Sequence, residues 1–518
     1  MLYPLGLQDF EEIRKRGFVY IDKTDVIYQL CQTGKYYFLG RPRRFGKTLL
    51  LSTLDKYLSG RKELFDGLKI ASLEKDWTIH PILHISLNSD EYIAEGTLED
   101  VLNNALVAWE KTYGSEASET SLSLRFKGVI ERARKISGQQ VAVLIDEYDK
   151  PLIDCLTNEP LKEHNKMVLK AFYGTLKNQD ANLCLALLTG VTKFSKVSVF
   201  SELNNLTDIS MAEEYQTLCG VSEDEIDRYF SEAVAQLAQS EQMSSAEARE
   251  TLRRTYDGYR FCRNGINLYN PYSLMRALSE KNIDYYWFET GTPTFLAERL
   301  KATNMRLEDM EGRKMDSQSL RNMDAIDKDP IPMIYQSGYL TITGYDNKTR
   351  LYTLGYPNEE VKSGFFNFLL PYYANVSATR VASDIVELVS DANNGHPEQL
   401  LRRLSSFFAG YNYDLIPRHD LERHYQNVIY TVCKLMGMQV EAEYHTSNGR
   451  IDLTLLTDKY IYLFEFKLNV GTPKGLQQIA RKDYAAPFAN DPRQLFCIAV
   501  NFSSATRGID DWQPHYNE

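Results

Sequence analysis

The residues best placed for phosphate chemistry follow a short apolar run, Tyr36–Leu39, in a turn rich in glycine and arginine. Glycines let backbone N–H groups face an anion, and Gly-Lys-Thr then opens a segment with helical spacing. In such a turn the lysine reaches the outer phosphates and the hydroxyl binds Mg²⁺. The turn predicts a Walker A ATP-binding loop, with one residue more between its glycines than the usual motif. The residues expected to contact ATP are Gly40, Arg43, Arg44, Gly46, Lys47 and Thr48. For Arg43 and Arg44 the alternatives are a place at the entrance of the site or a solvated side chain.

Two acidic residues, Asp146 and Glu147, directly follow the apolar run Val141–Ile145, which is typical of a buried parallel strand. The carboxyl end of such a strand lies beside the phosphate loop. We expect a Walker B pair, in which Asp146 holds Mg²⁺ through water and Glu147 activates the attacking water. Thr189, at the end of the run Leu183–Leu188, is expected to sense the γ-phosphate. The alternatives are an acidic strand end in solvent and a hydroxyl that caps a turn.

Two carboxylates and a lysine near the C-terminus form a second candidate site. In an extended strand Glu465 and Lys467 share a face, and Asp452 is expected on the neighbouring strand of a hairpin. Such carboxylates can bind Mg²⁺ with positions open for water and phosphate, while the lysine orients the nucleophile or stabilises the pentacovalent phosphate. This is the arrangement of PD-(D/E)XK nucleases. The alternative is a half-buried hairpin with a solvated Glu–Lys pair.

Two segments that flank this hairpin are expected to support it. Glu422 borders the apolar stripe of a predicted helix, where a carboxylate is uncommon without a partner. Gln478 lies in a second predicted helix, after the strands, and is expected beside the site. The same helix carries cations at helical spacing that suit DNA phosphates. They are Lys474, Arg481 and Lys482.

Bulk properties narrow the function classes. The chain has 518 residues, which predicts more than one domain. A net charge of −11 argues against a surface that grips nucleic acid everywhere, although a local groove remains open. The seven cysteines are scattered, as in a reduced cytoplasmic protein. No signal peptide and no membrane-spanning run are expected.

Apolar strands that alternate with helices predict an α/β fold with a P-loop NTPase parallel sheet covered on both faces. Helical periodicity from Val221 to Ala277 predicts a helical lid, and a hairpin that turns at Asp346-Asn347 indicates a winged-helix-like middle region. A long helix and dense short strands then predict a restriction-endonuclease-like α/β domain. The expected domains are residues 1–215, 216–285, 286–405 and 406–518.

At this point the chain resembles the AAA-type ATPase-like proteins of bacteria. The longer phosphate loop is that family's own pattern, and the C-terminal segment resembles the PD-(D/E)XK domain appended to the family. No arginine stands out as an arginine finger or second sensor, and a homo-oligomer is left open. The motifs that carry the resemblance are Asp22–Thr24, Gly40–Thr48, Asp146–Pro151, Thr189–Phe194, Phe200–Leu206, Tyr256–Phe261, Asn270–Ser273, Gln336–Leu340 and Pro357–Val361.

Two intact catalytic patterns on one chain favour an ATPase whose nucleotide state gates a Mg²⁺-dependent DNA nuclease. One alternative is a slow ATPase switch whose C-terminal fold only binds nucleic acid or a protein partner. A further alternative is a metabolic P-loop enzyme with an unrelated C-terminal domain. The expected cofactors are ATP and Mg²⁺, and the expected partner is DNA.

Overall fold

The structure is a computed structural model. It divides into two compact units, of which the first spans Met1–Trp287 and Lys314–Glu360 and the second spans Phe288–Arg313 and Val361–Glu518. The residues that it describes are 1–194, 205–290, 296–297, 299–300, 303, 305–323, 328–374, 378–408, 421–446, 448–506 and 508–516.

The first unit is built on a parallel five-stranded sheet in the order β2-β3-β4-β1-β5. This confirms the α/β fold predicted from the alternating apolar runs. Neighbouring strands end level with each other, because Gly40 pairs with Gly190 and Ser86 pairs with Asp146. The carboxyl edge of the sheet therefore gathers the loop after β1 and the ends of β3 and β4. The strands are β1 Tyr36–Gly40, β2 Ile82–Ser86, β3 Val141–Asp146, β4 Leu183–Gly190 and β5 Thr207–Asp208.

Helices accompany these strands, and two of those longer than four residues were not predicted. One is Leu122–Ser137, whose residues Phe126, Val129, Ile130 and Ala133 follow the helical repeat and are buried. The Ser121 side chain caps it by accepting a hydrogen bond from the Leu124 N–H. The other is Phe10–Arg16. The helices of this part are Phe10–Arg16, Thr24–Thr33, Lys47–Leu58, Ile70–Leu73, Thr97–Tyr113, Leu122–Ser137, Lys150–Ile153 and Glu159–Lys177.

The rest of the first unit is a helical part and a small antiparallel sheet. The helical part has its own apolar core, which includes Phe230, Leu252 and Leu274. The hairpin predicted at Asp346-Asn347 is confirmed by the pairing of β7 with β8. The helices are Glu223–Tyr229, Ser231–Ser240, Ser245–Tyr256, Pro271–Glu280, Ser317–Leu320 and Ile331–Gln336. The strands are β6 Lys314–Met315, β7 Thr341–Asp346 and β8 Leu351–Gly355, in the order β6-β8-β7.

The second unit contains a mixed five-stranded sheet in the order β13-β12-β11-β10-β9. β11 and β12 are parallel, and the other neighbours are antiparallel. This confirms the α/β C-terminal region expected from a long helix and dense strands. The strands are β9 Gln439–Thr446, β10 Gly449–Leu456, β11 Tyr460–Leu468, β12 Gln494–Ser503 and β13 Gly508–Tyr516. The helices are Glu359–Ala374, which begins at the end of the first unit, Ala378–Asn393, Pro397–Ser406, Leu421–Leu435 and Thr472–Lys482.

Short 3₁₀ helices complete the chain at Lys62–Phe65, Leu87–Ser89, Asp180–Asn182, Glu213–Leu218, Trp287–Thr290, Leu307–Met310 and Ala486–Phe488. Among the described residues, no helix is long and apolar enough to cross a membrane. The division into four domains remains a prediction. Residues 200–204 of the motif Phe200–Leu206 lie outside the described residues.

Candidate functional sites

The phosphate loop lies between β1 and the helix Lys47–Leu58. Gly46 caps this helix with φ of 94°, a left-handed conformation that suits glycine. The Lys47 ammonium turns back into the loop and donates to the Arg41 carbonyl at 2.9 Å and the Pro42 carbonyl at 3.1 Å. Burial lowers the pKa of Lys47, and the nearby Glu147 carboxylate opposes this shift. The Lys47 ammonium is therefore held where phosphate oxygens could replace the two carbonyl oxygens as its partners.

The additional length of the loop is anchored by aromatic side chains of the first unit. The buried Arg41 guanidinium lies 4.2 Å from the ring centre of Phe261, and Arg44 lies 3.7 Å from that of Tyr272. Phe45 packs edge-on against Phe261. Of residues 41–45, Arg43 alone is exposed. The sequence left open whether Arg43 and Arg44 contact the phosphates, line the entrance or are solvated. The structure stacks Arg44 on the Tyr272 ring and leaves Arg43 exposed, and their contact with ATP remains a prediction.

Arg41 is a residue that sequence reasoning missed. It is 1% exposed, and it donates to the Ser210 carbonyl at 2.7 Å and to its neighbour Gly40 at 2.9 Å. These bonds tie the start of the loop to the segment that follows β5. The one signal in the sequence was the additional arginine in the loop, which does not reveal the aromatic partner far along the chain.

Asp146 is the point where the predicted nucleotide residues converge. Its Oδ2 accepts a hydrogen bond from the Thr48 hydroxyl at 2.6 Å, and its Oδ1 accepts one from the Thr189 hydroxyl at 2.6 Å. The loop helix, β3 and β4 thus meet at one carboxylate. A carboxylate beside a threonine hydroxyl is an oxygen donor set that fits Mg²⁺.

Glu147 adopts φ of 50°, which is uncommon for a residue with a side chain. Its N–H donates to Asp146 Oδ1 at 3.1 Å. Burial raises the pKa of Glu147, while the Lys47 ammonium lowers it. A carboxylate with a raised pKa, held near a charged lysine, suits a general base. Backbone strain of this kind often marks functional sites.

An apolar cleft with about 560 Å³ of open space lies beside Gly46. Its walls come from the N-terminal segment, the loop helix and the helical part of the same unit. Mostly apolar clefts with a few polar groups are typical of small-ligand sites. The cleft adjoins the phosphate loop and could take the base of a nucleotide. The apolar residues that line it include Ile21, Ile27, Leu49, Leu218, Val221 and Met275.

The second candidate site lies on β10 and β11, whose register pairs Leu453 with Phe464. Asp452 and Glu465 therefore lie on adjacent strands, as the hairpin prediction required. Asp452 Oδ2 accepts a hydrogen bond from the Phe466 N–H at 2.7 Å. Glu465 is 1% exposed and forms a salt bridge with Lys467. Within the described part of the chain, Glu465 Oε2 has no hydrogen-bond partner.

Electrostatics favour a cation between these carboxylates. Burial and the neighbouring Glu465 raise the pKa of Asp452 to about 7. Burial also raises the pKa of Glu465, which the Lys467 ammonium opposes. A buried carboxylate oxygen without a partner is costly, and a divalent cation would stabilise both ionised groups. The pair therefore fits Mg²⁺. Among the described residues, no group of three or more His, Cys, Asp and Glu side chains forms a metal cluster.

Glu422 and Gln478 occupy different surroundings near this pair. Glu422 is exposed in the helix Leu421–Leu435, next to the buried Leu421, and its supporting role remains a prediction. Its charge still raises the pKa values of Asp452 and Glu465. The Gln478 side chain lowers the pKa of Glu465, as expected of a group beside the site.

Tyr484 is a buried residue of the second unit that the sequence did not single out. Gln478 Nε2 donates to the Tyr484 hydroxyl at 3.2 Å, and this hydroxyl donates to the Arg450 carbonyl at 2.6 Å. Arg450 precedes Asp452 by two residues on β10. Tyr484 thus joins the helix of Gln478 to the strand of Asp452. No spacing in the sequence could reveal a contact that depends on the fold.

Comparison with known proteins identifies a family for each of the two regions that carry these candidate sites. Residues 4–200 match a family model described as "Predicted AAA-ATPase", and residues 420–512 match one described as "PD-(D/E)XK nuclease superfamily". The chain is also 35% identical over 517 residues to a protein of Azotobacter chroococcum mcd 1 described as "Uncharacterized protein in vnfD 5'region". That similarity covers 98% of this chain and 97% of the Azotobacter protein.

Proposed function

The chain belongs to the predicted AAA-ATPase-like family and carries a PD-(D/E)XK nuclease superfamily domain, and from this premise we propose that it is an ATPase whose nucleotide state gates a Mg²⁺-dependent DNA nuclease. The observation that carries the proposal is the double hydrogen bond at Asp146, which accepts from Thr48 and Thr189. It supports a nucleotide site in which loop, acidic strand end and sensor threonine act together.

In the ATPase site, Lys47 leaves its loop carbonyls and binds the outer phosphates of ATP. Glu147 accepts the proton of the attacking water, because burial raises the pKa of its carboxyl group and the Lys47 ammonium opposes that shift. Thr48 and Asp146 would hold Mg²⁺, which neutralises the charge that develops on the phosphates. Thr189 connects the γ-phosphate to the Asp146 carboxylate.

In the nuclease site, Asp452 and Glu465 would hold Mg²⁺, which would supply Lewis-acid activation of water and of the scissile phosphate. Lys467, already paired with Glu465, orients the nucleophile or stabilises the transition state. Gln478 supports the Glu465 carboxylate. The contacts to DNA phosphates come from the helix Thr472–Lys482, in which Lys474 and Arg481 are exposed.

The test is cleavage of plasmid DNA by the full chain with Mg²⁺, with and without ATP. We expect the wild type to cut in the presence of ATP. Asp452→Ala should hydrolyse ATP without cutting, and Lys47→Ala should do neither. Asp458→Ala is the matched control, since Asp458 is an exposed carboxylate in the turn between β10 and β11.

A wild type that cuts no better than Asp452→Ala would exclude the nuclease. Gel shifts with the same DNA then test the alternative, a slow ATPase switch whose C-terminal fold only binds nucleic acid or a protein. That alternative predicts binding without cleavage and slow turnover of ATP. If ATP does not change the cleavage by the wild type, gating by the nucleotide is excluded and the nuclease proposal is not.

A further inference from the structure

Asp149, two residues after Glu147, is a buried carboxylate for which the mechanism above has no role. It is 2% exposed, and its Oδ2 accepts three hydrogen bonds from the chain beyond β4. The donors are the Val191 N–H at 3.0 Å, the Thr192 N–H at 2.6 Å and the Thr192 hydroxyl at 2.7 Å. Burial raises the pKa of Asp149, and the bonds from Thr192 lower it. A buried carboxylate is costly without such partners, so this concentration of donors stabilises one conformation of the chain.

Two other residues of the segment Asp146–Asp149 bond to the same stretch of chain. Asp146 accepts from the Thr189 hydroxyl at 2.6 Å. The Tyr148 N–H donates to the Thr189 carbonyl at 3.0 Å, and the Tyr148 hydroxyl donates to the Thr192 carbonyl at 3.0 Å. The ends of β3 and β4 are therefore joined on both sides of Glu147.

Gly190 shows how closely the two chains approach. A Cβ atom at this position would lie 2.5 Å from Asp149 Oδ1 and 2.8 Å from the Tyr148 ring. Such distances leave no room for a side chain, and both groups that would be hit are themselves buried. The contact of Asp149 with the chain after Thr189 is thus a tightly fitted one.

We propose that Asp149 is a positioning residue for ATP hydrolysis, which fixes the chain at Val191 and Thr192 and so holds the Thr189 hydroxyl on Asp146. The proposal rests on the proposed ATPase function of this site. Asp146 and Asp149 then have distinct roles. Asp146 would hold the metal, and Asp149 positions the end of β4, which carries Thr189. Because Asp146 and Tyr148 are both anchored, the strained backbone of Glu147 is held with its carboxylate near Lys47.

The experiment measures ATP turnover and nucleotide affinity for the full chain and two variants. Asp149→Ala removes the acceptor, and we expect kcat to fall roughly 100-fold, because small misplacements of catalytic groups have effects of that size. The Kd for ADP should stay within about 3-fold, since Asp149 contacts the sensor strand rather than the loop backbone. Asp149→Asn retains an acceptor oxygen, and its kcat should stay within about 10-fold of the wild type.

Asp154→Ala is the matched control, because Asp154 lies in the next turn and bonds to Lys150 and the Tyr92 N–H instead. Equal kcat for the wild type and Asp149→Ala overturns the proposal. The proposal is also overturned if both Asp149 variants lose ADP affinity and thermal stability together, because that result indicates a structural role alone. If Asp149→Ala does not fold, Thr192→Val decides, since it removes one donor of three and should lower kcat several-fold. A wild type without ATP turnover refutes the ATPase itself, which is a distinguishable result.

Discussion

At the scale of single residues, Lys47 is buried and Glu147 is partly buried near it, and their surroundings favour different roles in the proposed ATPase. The lysine donates hydrogen bonds to the carbonyl oxygens of Arg41 and Pro42 in the phosphate loop. The glutamate sits on a strained backbone with a raised pKa. Binding and hydrolysis should therefore be separable by substitution.

Lys47→Ala should weaken ATP binding by about 10- to 100-fold, because charge-assisted hydrogen bonds to the phosphates are lost. Glu147→Gln should bind ATP normally and lower kcat about 100-fold or more, because the proposed general base is removed. Calorimetric titration and a phosphate-release assay measure the two effects. Lys56→Ala, on the outer face of the same helix, is the control and should change neither. Normal turnover in Glu147→Gln would remove Glu147 from the mechanism.

Glu360 is a buried residue whose protonation should affect stability. It accepts hydrogen bonds from the Tyr286 N–H at 2.6 Å and the Trp287 N–H at 2.9 Å, yet burial raises its pKa from 4.5 to about 7, and Asp284 adds to the shift. The folded state therefore binds more protons than the unfolded state between these values. By linkage, this contribution to stability is present at low pH and is lost as pH rises towards 7.

Glu360→Gln should remove this dependence. We expect the free energy of unfolding of the wild type to fall relative to Glu360→Gln by up to about 3 kcal/mol between pH 4 and pH 8. Denaturant titrations at the two pH values measure it. The exposed neighbour Glu359 supplies the control, and Glu359→Gln should follow the wild type. Identical pH profiles for the wild type and Glu360→Gln would contradict the assignment.

At the scale of elements, the turn after the helix Ser245–Tyr256 packs against the segment before the helix Glu359–Ala374. Gly258 has φ of 101°, and a Cβ atom there would overlap the Pro357 carbonyl oxygen. The same turn continues to Phe261, which receives Arg41 and Phe45 of the phosphate loop. Segments that are distant in sequence thus depend on one close backbone contact.

Gly258→Ala should lower the free energy of unfolding by more than about 3 kcal/mol, because it combines a left-handed backbone with a steric clash. Gly67→Ala is the matched control. Gly67 has φ of 76° and open space around its Cα. Gly67→Ala should therefore lower the free energy of unfolding by only about 1 kcal/mol, the cost of placing alanine in a left-handed backbone conformation. Equal losses in the two variants, measured by thermal unfolding, would show that the contact with Pro357 adds nothing.

At the scale of the whole molecule, a net charge of −11 must be reconciled with the proposed DNA substrate. A surface that is acidic on average repels DNA, so the attraction has to come from a small group of cations. The helix Thr472–Lys482 offers such a group next to the proposed metal site. Its side chains Lys474 and Arg481 are exposed, and Lys482 is half-buried.

Replacing Lys474, Arg481 and Lys482 together by alanine should reduce the salt dependence of DNA binding. We expect the slope of log K against log salt to fall by about one for each cation removed. Affinity measured by fluorescence anisotropy at several salt concentrations tests this. A triple variant of exposed lysines in the first unit, Lys127, Lys135 and Lys177, should keep the wild-type slope. An unchanged slope in the first variant would place the DNA elsewhere.

The sequence by itself determined the fold class and the elements that carry both sites. Apolar runs such as Val141–Ile145 report burial directly, and Gly-Lys-Thr and Glu-x-Lys report local geometry, because these patterns depend on neighbours along the chain. For the same reason Asp452 and Glu465 could be placed on adjacent strands from their spacing. The helix Leu122–Ser137 was missed although its apolar repeat is regular.

Only the tertiary structure decided which groups contact each other across the chain. Arg41 and Phe261 are about 220 residues apart, and Asp149 reaches Thr192 through strands that meet only in the folded sheet. The exposure of Glu422 likewise depends on what packs against its helix. Side-chain types and spacing specify local chemistry, whereas the partner of a buried charge is set by long-range packing, which no short motif encodes.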